Sequence, residues 1–110
     1  MYGIVGSTPS IPAAGYASSK HAVVGLTKTD AVHYAQHKIR INAMCPGYTE
    51  TPLLRQAMGN GFMKGEVEKT PMGRLGTMEE IGDCISFLAS PMSSFMTGAC
   101  LIADGGFTAQ

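Results

Sequence analysis

The spacing of apolar runs and turn residues predicts an α/β fold, with two parallel strands and three to four helices in a chain of 110 residues. Three observations predict it. Between residues 16 and 36 no helix breaker occurs except Gly25. Two short apolar runs, 39–45 and 99–103, each stop at turn residues, Pro46-Gly47 and Asp104-Gly105-Gly106, as buried parallel strands do. Between them Thr77-Met78-Glu79-Glu80 fits a capping box. Ile81, Cys84, Ile85 and Leu88 then recur at i, i+3, i+4 and i+7, with Pro91 past the end. Strand, helix and strand in that order read as a right-handed βαβ unit.

Residues 1–15 are rich in Gly, Pro, Ser and Ala, and Pro9 and Pro12 block regular ladders, so a loop leading into a helix is expected. Ser7, Ser10, Ser18 and Ser19 sit in no nucleophile elbow and read as capping or packing residues. In the long helix, Ala22, Val23, Val24, Leu26, Ala31, Val32, Tyr34 and Ala35 fall all round the wheel, which calls for cover on more than one face. Thr51-Pro52 supplies an N-cap and a proline at the first helical position, and Gly59 a stop, so a short helix at 52–58 follows. Residues 59–73 mix four glycines with Phe62, Met63, Val67 and Met72 and read as a mobile segment. Met58, Met63 and Met72 fill a core or line an apolar pocket, the core reading being the better supported.

No internal repeat or linker divides the chain, so a single unit is expected. Eight basic and eight acidic residues leave no net charge, which argues against nucleic acid or an anionic membrane as partner. Residues 1–5 lack the charged start and long apolar run of a signal peptide, and no run reaches the roughly 18 apolar residues of a membrane span. A cytoplasmic location is the expectation. Cys45, Cys84 and Cys100 lack the spacing of a zinc site or a disulfide framework and read as small buried hydrophobes. His21, His33 and His37 have no carboxylate or cysteine at metal-ligand spacing, so no metal is expected.

Tyr16 and Lys20 stand four residues apart, which on a helix puts them on one face with Cβ atoms roughly 5–6 Å apart. A free phenol is a poor proton donor or acceptor at neutral pH, and a nearby ammonium favours the phenolate. The pair is suited to general acid-base chemistry on one bound oxygen; an amphipathic surface pair is the plainer alternative.

The run Ala13-Ala14-Gly15-Tyr16-Ala17-Ser18-Ser19-Lys20 resembles the active-site helix of the short-chain dehydrogenase/reductase family. In the family's order, Ile41-Asn42-Ala43-Met44-Cys45-Pro46-Gly47 resembles its strand and Pro-Gly turn. Arg74-Leu75-Gly76 with Glu79-Glu80-Ile81 and Phe87-Leu88-Ala89-Ser90 resembles its last helix, and Thr97-Gly98 with Asp104-Gly105-Gly106 its closing strand. The resemblance implies the C-terminal part of a Rossmann-like, doubly wound parallel sheet, with residues 1–110 forming that portion of the domain. It implies hydride transfer between NAD or NADP and a small carbonyl or secondary alcohol. Tyr16 would be the acid-base residue and Lys20 its partner, the latter also holding the nicotinamide ribose. Pro46, Gly47, Thr49 and Thr51 would join Tyr16 and Lys20 at the cofactor, Thr51 through its side chain and Thr49 through its backbone. Family members more often carry an apolar β-branched residue at the Thr49 position. For Thr51, helix capping is an equally weighted and compatible role.

No glycine-rich phosphate loop occurs between a strand and a helix, and the family's catalytic serine would fall just ahead of Met1. The expectation is therefore a truncated product or an internal-start fragment, marginal on its own and prone to associate. Family members commonly form dimers or tetramers, so a homo-oligomer is implied. The rival expectation is a non-catalytic fragment with a structural or interaction role.

Overall fold

The computed structural model describes residues 13–58 and 64–109. Its elements in chain order are α1 (Ala14–Tyr34), β1 (Ala43–Pro46), α2 (Pro52–Met58), α3 (Lys64–Glu68), α4 (Met78–Ala89) and β2 (Cys100–Ala103). Short 3-10 turns follow α1 at Ala35–His37 and α4 at Pro91–Ser93. Of the loop expected over residues 1–15, residues 1–12 lie outside the described residues, as do 59–63, and Ala14 and Gly15 already belong to α1.

β1 and β2 pair in parallel, Ala43 opposite Cys100 through Pro46 opposite Ala103, which bears out the α/β expectation. The ladder uses the N–H groups of Ala43 and Gly47, which donate to Ala99 and Ala103 carbonyls at 2.9 Å each. Alternation turns the backbone of Pro46 to the other edge, so its missing N–H breaks no bond in the pair.

β1 is shorter than the apolar run predicts. It begins at Ala43 rather than at 39, because side chains replace the ladder over the preceding residues. Asn42 Nδ2 donates to the Met96 carbonyl at 2.9 Å and its Oδ1 accepts from Ala99 N–H at 3.0 Å. Ile41 N–H donates to Thr97 Oγ1 at 3.2 Å. Arg40 reaches further: its guanidinium donates to the carbonyls of Leu88 (3.0 Å), Ser90 (3.3 Å) and Ser93 (2.9 Å) and to Ser93 Oγ (2.9 Å). The last carbonyls of a helix have no partner within it, and a cation there also opposes the negative end of the helix dipole. Arg40 thus ties the end of α4 to the start of β1.

α4 carries the predicted capping box in full. Glu80 N–H donates to Thr77 Oγ1 at 3.1 Å, and Thr77 N–H donates to Glu80 Oε2 at 2.8 Å. α2 likewise starts where predicted, with Leu54 N–H donating to Thr51 Oγ1 at 3.2 Å. The segment expected to be mobile is shaped over its described part: α3 occupies 64–68, Thr70 is buried, and Met72 N–H donates to the Gly105 carbonyl at 3.2 Å.

α1 is apolar all round, as its sequence says, but only Thr27 and Ala31 are buried. Val23, Leu26 and Val32 stay exposed, the last at 81%. Ala31 packs where Gly98 enters β2; a Cβ on Gly98 would lie 3.4 Å from the Ala31 Cβ. The apolar core among the described residues is Ala31, Ala43 and Cys45. Of the three free cysteines only Cys45 is buried, Cys84 and Cys100 being partly so. The sequence spacing hid one relation: the parallel register puts Cys45 and Cys100 on one face of the strand pair. Burial first, and Cys100 second, push the Cys45 thiol above its ordinary range.

Candidate functional site

The site residues fall on two supports, the N-terminal half of α1 and the loop leaving β1. α1 begins two residues before Tyr16, so the four-residue spacing to Lys20 is spent on regular helix. Lys20 Nζ lies 5.4 Å from the centre of the Tyr16 ring, a cation over an aromatic face. Both side chains are exposed, Tyr16 at 56%. Ser19, inside the helix, is bonded back to it, its Oγ donating to the Tyr16 carbonyl at 2.7 Å rather than capping the helix start.

The loop from Pro46 to Thr51 lies at the carboxyl end of β1, where open α/β sheets bind ligands. Its first turn requires glycine. A Cβ on Gly47 would stand 2.6 Å from the Asp104 Cα, closer than any side chain tolerates, so only a hydrogen fits between the two strand ends. Thr49 Oγ1 folds back and donates to the Gly47 carbonyl at 3.2 Å.

The loop then pairs with Gly76, just ahead of α4. Gly76 N–H donates to the Tyr48 carbonyl at 2.9 Å and Glu50 N–H donates to the Gly76 carbonyl at 2.8 Å. This is one step of a parallel ladder centred on Thr49 and Gly76. Such a step uses the groups flanking Thr49, and the N–H and C=O of Thr49 itself point the opposite way. Among the described residues neither takes part in a hydrogen bond within the protein. A donor and an acceptor side by side match a primary carboxamide. Thr51 accepts from Leu54 N–H and, as a hydroxyl, retains a proton to donate. Capping and ligand contact are therefore compatible at Thr51, and the chemistry of this donor set fits the carboxamide and ribose of a nicotinamide cofactor.

Three residues absent from the sequence-based site hold this loop in place. Arg74 and Glu80 form a bidentate pair, with Nη2 to Oε1 at 2.7 Å and Nη1 to Oε2 at 3.0 Å. The Arg74 hydrogen bonds, joined by that from Thr77 N–H, hold the Glu80 carboxyl down at about 2. The third is Asp104, which accepts from Gly106 N–H (3.0 Å), Thr108 N–H (3.0 Å) and Thr108 Oγ1 (2.6 Å). Burial pushes the Asp104 carboxyl up, but these bonds outweigh it and leave it below the usual range. The Asp-Gly-Gly and Arg-x-Gly patterns were visible in the sequence; that both touch the Pro-Gly loop was not.

A cavity of about 210 Å³ lies between the loop and α4, lined by Tyr48, Gly76, Glu80, Cys84, Ala103 and Asp104 among others. Among the described residues no three His, Cys, Asp or Glu side chains gather as a metal site would need. No described helix is long and apolar enough to cross a membrane.

A family profile described as enoyl-(acyl carrier protein) reductase matches residues 2–108. The chain is 44% identical over 95 residues to the short-chain dehydrogenase srdC of Neurospora crassa, covering 84% of this chain and 35% of that protein. Among solved structures, 4-hydroxyisoleucine dehydrogenase complexed with NADH superposes with a TM-score of 0.82 at 34% identity, over 88% of this chain and 40% of that one. A putative 2-deoxy-d-gluconate 3-dehydrogenase from Agrobacterium tumefaciens with bound NADP gives 0.81 at 38% identity, over 86% and 39%. The chain thus spans well under half the length of these relatives.

Proposed function

We propose, from the premise that this chain belongs to the short-chain dehydrogenase/reductase family, that it supplies the acid-base pair and the nicotinamide-facing loop of an NAD- or NADP-dependent oxidoreductase. Residues 1–110 correspond in this reading to the C-terminal portion of the family's domain. The substrate class is a small carbonyl or secondary alcohol, and the assembly is a cytoplasmic homo-oligomer.

The observation that carries the reading is Lys20 Nζ standing 5.4 Å from the Tyr16 ring centre on one face of α1. When bound, the nicotinamide ring gives or takes the hydride. Tyr16 gives the substrate oxygen its proton in reduction and takes it back in oxidation. Lys20, a positive charge beside the phenol, donates to ribose hydroxyls. Thr49 N–H and C=O would hold the carboxamide of a bound cofactor, and Thr51 would add a hydroxyl contact. Pro46 and Gly47 start the turn; Gly47 does so at the closest approach its neighbour Asp104 allows.

Titration with NADH and with NADPH, followed by nicotinamide fluorescence, tests this. Saturable enhancement with at least one of the two is expected, and no change with either up to millimolar concentration would overturn the reading for this chain. That result would leave the non-catalytic alternative. Tyr16→Phe should bind cofactor as the parent does while lowering carbonyl reduction by about 10²- to 10⁴-fold, the usual worth of a positioned acid-base group. Lys20→Ala should weaken both.

A further inference from the structure

We propose that the Arg74–Glu80 pair is a positioning device for the nicotinamide site, setting cofactor affinity by fixing Gly76 and, through it, the backbone of Thr49. The proposal rests on the function proposed above and names a control of that same site.

The pair grips the three residues around Gly76 from both sides. Arg74 Nη1 donates to the Leu75 carbonyl at 3.0 Å as well as to Glu80. Glu80 Oε2 accepts from Thr77 N–H at 2.8 Å. Gly76 lies between these anchors, and a Cβ placed on it would be 3.8 Å from both Glu80 Oε2 and the Tyr48 carbonyl oxygen. Carboxylate, glycine and loop are thus in contact in sequence. The two hydrogen bonds between Gly76 and the loop then turn Thr49 N–H and C=O outward.

Packing on the α4 side of the loop is incomplete, because a pocket of about 210 Å³ opens there with Tyr48, Gly76 and Glu80 on its walls. The edge-to-face contact of the Tyr48 and Phe107 rings at 5.7 Å holds the side chain of Tyr48 but not the peptide groups of 49 and 50. An exposed ion pair adds little to global stability, so geometry is the effect to look for. A bidentate fork restricts direction as well as distance, which an ammonium at the same place cannot do.

Glu80→Gln separates this role from helix capping. Glutamine still accepts from Thr77 N–H and keeps the capping box, but loses the charged fork with Arg74. Thr77→Ala is the complementary control, since it weakens the start of α4 and leaves the Arg74–Glu80 fork in place.

Two measurements on the full chain decide the matter. Amide hydrogen exchange at Glu50 and Gly76 should quicken by about tenfold in Glu80→Gln and in Arg74→Lys, while the mid-α4 amides keep their protection. The NADH or NADPH dissociation constant should rise by roughly 2- to 30-fold in both variants, the span of coupling carried through such networks, and should stay within error in Thr77→Ala. Unchanged exchange at Glu50 and Gly76 in folded Glu80→Gln would overturn the proposal, as would an equal loss of affinity in Thr77→Ala. Absence of cofactor binding by the parent chain would instead overturn the function proposed above and the affinity half of this inference. The exchange experiment would still show whether the clamp fixes the loop.

Discussion

Gly47 shows how much one missing methyl group can decide. Its Cα meets the Asp104 backbone where β1 and β2 end side by side, so a side chain there collides with backbone rather than with a rotatable group. Gly47→Ala should cost about 1–3 kcal/mol, as overpacking at a rigid contact does, and a urea-unfolding midpoint measures it. Glu80 decides a different matter, the response to acid. Its carboxyl sits at about 2 in the folded chain against an ordinary 4.5, first because Arg74 donates to it and then because Thr77 N–H does. A depressed acid contributes stability that is complete above the unfolded value and disappears as pH falls through the folded one. The contribution should therefore be constant above about 4.5 and fade towards 2, and Glu80→Gln should flatten that part of a plot of melting temperature against pH. Asp104 is lowered too, so some slope in the same acid range should survive in Glu80→Gln and be lost when Asp104→Asn is added.

At the scale of the element, the helices differ in what holds them. α4 is stabilised at both ends, by its capping box and by Arg40 on its last carbonyls. Arg40→Met keeps much of the length of the side chain and removes the donors, leaving the Leu88, Ser90 and Ser93 carbonyls without them. The expected loss is about 1.5–3 kcal/mol, the range for hydrogen bonds to a charged group, read from thermal or urea unfolding. Arg40→Lys should recover only part of it, because one ammonium cannot span the same carbonyls. α1 has no such anchors among the described residues. Its N-cap is Ala13, with no side-chain hydrogen bond, and its tertiary contact centres on Thr27 and Ala31 in the C-terminal half. Neither of its buried residues lies in the half carrying Tyr16 and Lys20.

For the whole molecule, the surface is large for the chain. The accessible area is 7219 Å², against roughly 5,800 Å² for a compact protein of this size. The radius of gyration is 15.4 Å, where roughly 13 Å is usual for this length. Among the described residues, large apolar side chains stand exposed, Val23, Leu26 and Val32 on α1 and Phe95 after α4. Such a surface calls for a partner. Sedimentation velocity should show association that grows with concentration, accompanied by binding of a hydrophobic dye. A sharp unfolding transition of a monomer, independent of concentration, would contradict it.

Elements whose signals are local were legible in the sequence. The capping box of α4, the Thr51-Pro52 start of α2 and the four-residue spacing of Tyr16 and Lys20 each depend on neighbours within a turn, so one stretch of sequence carries all the information. Apolar runs ending in turn residues sufficed for the two strands, though not for the start of β1, because Arg40 and Asn42 find their partners more than forty residues away. Separation along the chain likewise hid Gly76 against Thr49, Asp104 against Gly47 and Cys45 beside Cys100. Periodicity says which face of an element is apolar; it does not say which loop lies across from it. The sequence alone therefore determined the types of element, their caps and the chemically able residues. Only the tertiary structure decided that the Thr49 backbone faces outward, since that depends on two hydrogen bonds closing between segments that the chain itself keeps apart.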